Sequence, residues 1–431
     1  MSHDEMDWRT RRKILKGIGL AGIAGLAGCS SNGSGGESES GSGGGSTATE
    51  SGGEATESGG TSTAGGDGMS GESYFGVEGP FADSIQGLTW SGWDVPSVTG
   101  RFQNQTDLSV STDFIGSDLQ GFQNIQGGGD YQFIVPDTVW VQRLGEAGLA
   151  RPVDEDLFSE ELSNMPEGVR NHRSMFYDDT RYGIPPRWGI SGLIYNKDQV
   201  SAEEVQSWSV LWDDKYADRY EIFSLPLWAG PKVALYLIEE GEISIDGDVT
   251  AEKVYGLPEE DMAKVEDAAA ELLSNARLLP ASANEANRPL INETVYLFDG
   301  FLFNYAQLKT VEAGLGTDKF RFQPNPGLGG LFWVEGMTMT TQAETEEQQN
   351  TTNAFFKWAA SKEGQANIAW TELRKSPPAN DAAREFLTEN QIQTLQLDSL
   401  DDIIANSIDY YPIEEDKWVE TWERARQQAS S

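Results

Sequence analysis

The chain has 431 residues, with 69 acidic against 31 basic side chains and a formal net charge of -38 at pH 7. Its length suits two domains better than one core, and its acidity excludes nucleic acid and anionic lipid head groups as partners. One cysteine allows no intrachain disulfide and no cysteine-based zinc centre; of the two histidines His3 lies in a segment expected to be removed, and His172 alone builds no multi-histidine metal site, so neither metal nor cofactor is expected.

Acid runs along the whole chain while Trp, Phe and Tyr stay plentiful, which is the composition of a folded protein with an acidic coat. At molar salt the screening length falls to about 3 Å, where so much like charge is tolerable. A salt-loving source is inferred, against an ordinary acidic secreted protein.

Thr10-Arg11-Arg12-Lys13-Ile14-Leu15-Lys16 precedes an apolar stretch from Gly17 to Gly28. A basic head, a short apolar run and small residues before a cut make a secretory signal. The paired arginines point to the twin-arginine route. The run falls short of the roughly 20 residues that span a bilayer. It ends in Leu26-Ala27-Gly28-Cys29, similar to a lipoprotein box, so residues 1–28 are read as the signal and Cys29 as the lipid attachment point. Residues 29–73, rich in Gly, Ser, Thr and Glu, then form a flexible tether with a mean span of roughly 35–40 Å.

Globular sequence is expected from about Ile85. Leu88–Trp93 reads as a strand, Asp94-Val95-Pro96 as a turn into a helix, Leu108–Phe114 as a second strand and the residues up to Gln126 as a helix. Tyr131–Val135 is a third strand, followed by a helix over Thr138–Ala147. This alternation indicates parallel α/β packing, in which ligands bind beyond the carboxyl ends of the strands. Trp93 and Asp94 stand just past the first strand, and Asp137 and Trp140 just past the third. Asp137 reads equally as a helix N-cap, and Trp140 equally as core. His172 is given no role.

From Trp188 to Tyr195 the chain alternates with an apolar bias on both faces, after Pro185 and Pro186 have forced extended backbone. From Ile184 to Asn196 the extended run would reach on the order of 40 Å. It is either one long central strand or a segment that passes from one globular unit to another and opens a cleft. Ser207–Asp213 then reads as a short helix, and Tyr220–Leu225 as a strand that leads to Pro226-Leu227-Trp228 and a helix to about Glu239. Glu259–Ala276 is an outer helix. Thr294–Phe298 is a strand stopping at Asp299-Gly300, with a helix over Phe301–Ala313. Leu331–Thr340 is a second long extended run, a candidate return crossing. Helices follow over Glu344–Ala359, Lys362–Leu373, Ala382–Leu387 and Asp416–Gln427.

No serine-hydrolase elbow, Walker loop, zinc-protease motif or dinucleotide fingerprint occurs. A carboxylate pair of the glycosidase kind stays open among so many acids. What stands at strand ends is aromatic and acidic: Trp93, Asp94, Asp137, Trp228, Asp299, Trp333 and Glu335. Indole faces attract cations and carboxylates supply counter-charge, so the set suits an organic cation.

The order of segments resembles the binding proteins of ATP-driven (ABC) importers, in particular the spermidine/putrescine-binding family. The likeness is carried by Leu88–Trp93, Phe133-Ile134-Val135-Pro136-Asp137-Thr138, Ile184–Gly189 and Ser207–Trp212. Gly329–Glu335 and Pro377–Ala383 extend it. It implies an α/β, two-lobed periplasmic-binding-protein-like fold with two crossover hinge segments. Residues 85–187 plus 336–378 would form one lobe, and 188–335 plus 379–431 the other. It also implies no catalysis, a small-molecule ligand, delivery to a permease and its ATPase, and a monomer. Trp333 and Glu335 match the family's Trp-x-acid pair that stacks on and pairs with the amine. Trp93 matches the aromatic after the first strand, and Asp137 falls on a small polar contact position. The chain departs at Phe223-Ser224-Leu225-Pro226-Leu227-Trp228, where polyamine binders carry acids and this chain has none. The expected whole is a lipid-anchored protein at the outer face of the cell membrane, capturing a polyamine-like or other organic cation. A secreted carboxylate-dependent hydrolase and a structural surface lipoprotein are the other readings.

Overall fold

Folded structure begins earlier than the composition of the tether implies. The protein is described by a computed structural model over residues 72–280 and 283–431. The signal segment, Cys29 and the tether up to residue 71 lie outside these residues. Ser73–Tyr74 (β1) and Val77–Glu78 (β2) already pair as an antiparallel hairpin, and the ring of Tyr74 sits 5.0 Å from that of buried Phe81. Two large aromatic residues give this stretch enough apolar surface to dock, which a Gly/Ser-rich tether lacks.

The first sheet is built around Ser84–Thr89 (β3). Ser109–Phe114 (β4) and Phe133–Ile134 (β5) flank it, both parallel to it. The connecting helices are Thr99–Thr106 and Asp118–Gln126. The second starts where Ser117 Oγ accepts the N–H of Gln120, a side-chain cap for an orphan donor. A second small hairpin joins Phe176–Tyr177 (β6) to Thr180–Arg181 (β7).

Trp188–Asn196 (β8) is the centre of the second sheet, and all of its residues are buried. Tyr220–Ile222 (β9), Leu297–Phe301 (β10), Phe320–Gln323 (β11) and Leu331–Val334 (β12) complete most of it. β10, β11 and β12 are antiparallel to β8, whereas β9 runs parallel to β10. Thr338–Met339 (β13) pairs with β5 in the first sheet, and Ile408–Asp409 (β14) closes the second sheet beside β12. The all-parallel packing expected from the alternation of elements therefore holds for β3, β4 and β5, and the second sheet is mixed.

The two extended runs each leave one sheet and enter the other. Ile184 pairs with Met337 and Arg187 with Pro378 before the chain becomes β8; in return, β12 ends at Val334, Glu335 pairs with Asp137, and β13 follows. The runs also lie side by side, with Leu331 opposite Ser191 and Val334 opposite Trp188. A third passage runs through Pro377 and Pro378, whose carbonyls accept the backbone N–H (3.0 Å) and the indole N–H (3.1 Å) of Trp188. The readings of central strand and crossing segment are both realised in one piece of chain.

Two boundaries moved for local reasons. The strand expected to stop before Asp299 instead carries Asp299 and Gly300 in its middle, because the carboxylate is neutralised and a side chain at 300 would strike Phe298 and Ile194. The helix expected to reach Leu373 ends at Ala369. A turn follows in which Arg374 N–H donates to Thr371 Oγ1 at 2.9 Å, while Thr371 N–H donates to the Arg374 carbonyl at 3.0 Å.

Candidate functional site

Between the sheets lies a cavity of about 210 Å³. Trp90 and Ser91 reach it from the end of β3, Asp137 from the end of β5, and Trp333 from β12. Phe301, Phe303, Phe223 and Trp228 close it from the second sheet and its helices, and Arg374 enters from the loop after Ala369. This is the crevice past the strand ends where ligands bind in open α/β sheets. A wider depression of about 650 Å³, lined by Gln323, Asp398 and Asp402 among others, has no aromatic lining residue.

Of the residues singled out in the sequence, Asp137, Trp228 and Trp333 line the cavity. Trp333 lies flat across the opposite strand because Gly189, its register partner, has no side chain; a Cβ there would fall 2.2 Å from the indole. Trp228 stacks on Tyr410 with centroids 3.7 Å apart and meets Phe301 edge-on at 4.8 Å. Asp137 is not a helix cap: the helix Val139–Glu146 begins at Thr138 without a side-chain cap bond. Thr138 holds φ at 36°, a strained conformation for a β-branched residue of the kind that gathers at functional sites.

The other five are placed elsewhere. Trp93 is fully buried against Phe355 in the core, and Trp90, three residues earlier, lines the cavity in its stead because β3 ends at Thr89. Asp94 is exposed in the turn. Trp140 is core, 5.6 Å from Phe122 and stacked under the Arg143 guanidinium at 4.3 Å. Asp299 is buried in an ion pair with Lys232, whose Nζ also donates to Ser191 Oγ at 2.5 Å. Glu335 is wholly buried and accepts from Arg187 Nε at 2.6 Å. Carboxylates this deep require paired cations, and the chain supplies them itself, so neither acid faces the cavity.

Arg374 has no precedent in the sequence reading. Its guanidinium lies 5.3 Å from the centre of the Trp333 ring, 4.9 Å from Phe303 and 6.0 Å from Trp90, and 3.3 Å from Glu335 Oε1. The surroundings are strongly desolvated. Burial, with nearby Arg187, lowers the Arg374 guanidinium to about 10. Asp118, whose Oδ1 accepts the Asp137 N–H at 2.9 Å, is pushed by burial to about 7. Burial and the neighbouring Asp118 carboxylate hold Asp137 well above the usual range. Among the described residues Asp137 Oδ1, Arg374 Nε and the indole N–H groups of Trp90 and Trp333 are buried without hydrogen-bond partners.

The profile of the bacterial extracellular solute-binding protein family matches residues 102–396. The chain belongs to that family. Among relatives of this solute-binding protein, the spermidine/putrescine-binding periplasmic protein of Salmonella typhimurium is 22% identical over 320 residues, covering 71% of this chain and 80% of the relative. The spermidine/putrescine substrate-binding protein of Streptococcus pneumoniae superposes with a TM-score of 0.62 at 16% identity, over 81% of this chain and 100% of the other. A lipoprotein of Treponema pallidum gives a TM-score of 0.60 at 13% identity, over 79% and 99%. The fold is α/β and two-lobed, of the periplasmic-binding-protein type. A solute-binding protein is not an enzyme, and the hydrolase reading is dropped. Among the described lining residues Asp137 is the one carboxylate, so no acid pair faces the cavity.

Proposed function

We propose that the protein captures a small organic solute bearing a cationic group and hands it to an ABC permease with its ATPase. The observation that carries this reading is a cavity walled by Trp90, Trp228, Trp333 and three phenylalanines, with Asp137 the one carboxylate among its described lining residues. Aromatic faces hold organic cations, and a carboxylate adds counter-charge. Relatives named for spermidine and putrescine support the same class. The missing acids at Phe223, Leu225 and Trp228 leave an apolar wall, which favours a short cation over a long polyamine.

Affinity would come from closure of two lobes, 85–187 plus 336–378 and 188–335 plus 379–431, about the segments near Arg187, Glu335 and Pro378. Export by the twin-arginine route, lipid on Cys29 and a flexible tether would keep a monomer at the outer face of the cell membrane, free to reach its permease. The Treponema lipoprotein of similar fold supports the anchor, and the acid excess supports a high-salt habitat. Native mass spectrometry of the protein with its retained solute tests the reading. A molecule with a cationic group is expected; one with none overturns it.

A further inference from the structure

The donors and acceptors left open around the cavity are unequal in number. Three buried N–H groups on lining residues lack acceptors: Arg374 Nε and the indole nitrogens of Trp90 and Trp333. Among the described lining residues one acceptor, Asp137 Oδ1, lacks a donor; behind them Glu335 Oε1 is also open, but so are both terminal nitrogens of Arg187, so donors stay in excess. Buried polar groups in folded proteins are nearly always paired, and an unpaired one carries its full desolvation cost. A purely cationic solute brings donors only. It would satisfy Asp137 and leave the three N–H groups as they are, with its charge facing the Arg374 guanidinium.

The charges point the same way. Glu335 stands between Arg187 and Arg374, 2.6 Å from the first and 3.3 Å from the second, so one carboxylate serves two guanidinium groups. Asp118 and Asp137 are the remaining acids that act on Arg374, and burial favours the protonated form of each. The cavity thus holds a guanidinium with an unmet share of positive charge and a carboxyl group whose charged form burial disfavours.

We propose that the solute is amphoteric: a short molecule whose carboxylate is held by Arg374 and the nearby indole N–H groups, and whose ammonium group is held by Asp137 against the aromatic wall. A guanidinium binds a carboxylate through a planar fork that an ammonium cannot use. The cavity, about 210 Å³ against roughly 300–1,000 Å³ for sites of drug-sized ligands, sets the length as short. The inference rests on the cavity being the solute site and narrows the class of solute.

The test is a matched panel titrated into the purified full-length protein at molar salt, read by calorimetry and tryptophan fluorescence. Each amino-carboxylate is set against its carboxylate-free partner: ω-amino acids of three to six carbons against α,ω-diamines of equal length, and trimethylglycine against choline. At least one amino-carboxylate is expected to bind about tenfold or more tightly than its partner, and Arg374→Gln to erase or reverse that preference. Arg374→Lys, which keeps the charge without the fork, is expected to fall between. A preference of the unaltered protein for the carboxylate-free partners overturns this proposal while leaving capture of a cation intact. Binding of no amino-carboxylate also overturns it. The ranking by the unaltered protein decides the matter even if the variants fail to fold.

Discussion

Arg187 Nε donates to Glu335 Oε2 across 2.6 Å, and neither side chain reaches solvent. The first residue sits on the outgoing passage between the sheets and the second on the return, so this ion pair adds to the strand pairing that joins the two passages. Arg374, on the loop that leads into the third, adds a contact to the same carboxylate at 3.3 Å.

Replacing Glu335 by Gln strands two guanidinium charges in a desolvated site. Breaking a buried pair from one side costs about 3–5 kcal/mol, and a loss of that size is expected in chemical denaturation. A loss under about 1 kcal/mol, the range of surface pairs, would mean that water reaches the pair.

Gly189→Ala changes no charge and no cavity-facing group, yet its Cβ would lie 2.2 Å from the ring of Trp333. Overpacking of this kind costs about 1–3 kcal/mol, and here it also displaces an aromatic wall. Both stability and solute affinity should fall, with a shift in tryptophan emission. Unchanged emission and affinity would show that the indole has room to move without consequence.

Glu221, on β9, is fully buried, and both its carboxylate oxygens lack partners among the described residues. Burial pushes it from its ordinary 4.5 up to about 8. The native state therefore keeps a proton that the unfolded chain releases, and stability falls as pH rises between these values, by at most about 1.4 kcal/mol per pH unit from this group. Glu221→Gln should flatten the slope and be more stable than the parent at pH 8, with little difference below pH 4.5. Denaturation of both proteins at pH 5, 6.5 and 8 checks this; parallel slopes would refute it.

The acid excess makes a further claim on stability. Repulsion among so many like charges is screened over about 10 Å at 0.1 M salt and about 3 Å at 1 M, so the midpoint of thermal unfolding should climb with NaCl across that interval. A flat response would remove the salt-loving reading.

Much of the scaffold could be read from local pattern. The helices Asp118–Gln126 and Pro226–Glu239 end where their spacing stops. The apolar run after the double proline is a buried strand, and Leu331–Thr340 does return between the sheets. Propensity, periodicity and the geometry of proline act over a few residues, so they leave marks within a short window. Trp333, Trp228 and Asp137, which line the cavity, each lie within or just past such an element.

Which acids were free could not be read that way. Lys232 neutralises Asp299 from 67 positions away, and Arg187 reaches Glu335 over 148. In a chain this acidic, every carboxylate looks available until its cation is located, and ion pairing depends on distance in space, with no periodic trace along the chain. The same holds for Arg374: only folding brings a loop after a helix against three aromatic rings, and that arrangement decides what charge the cavity presents.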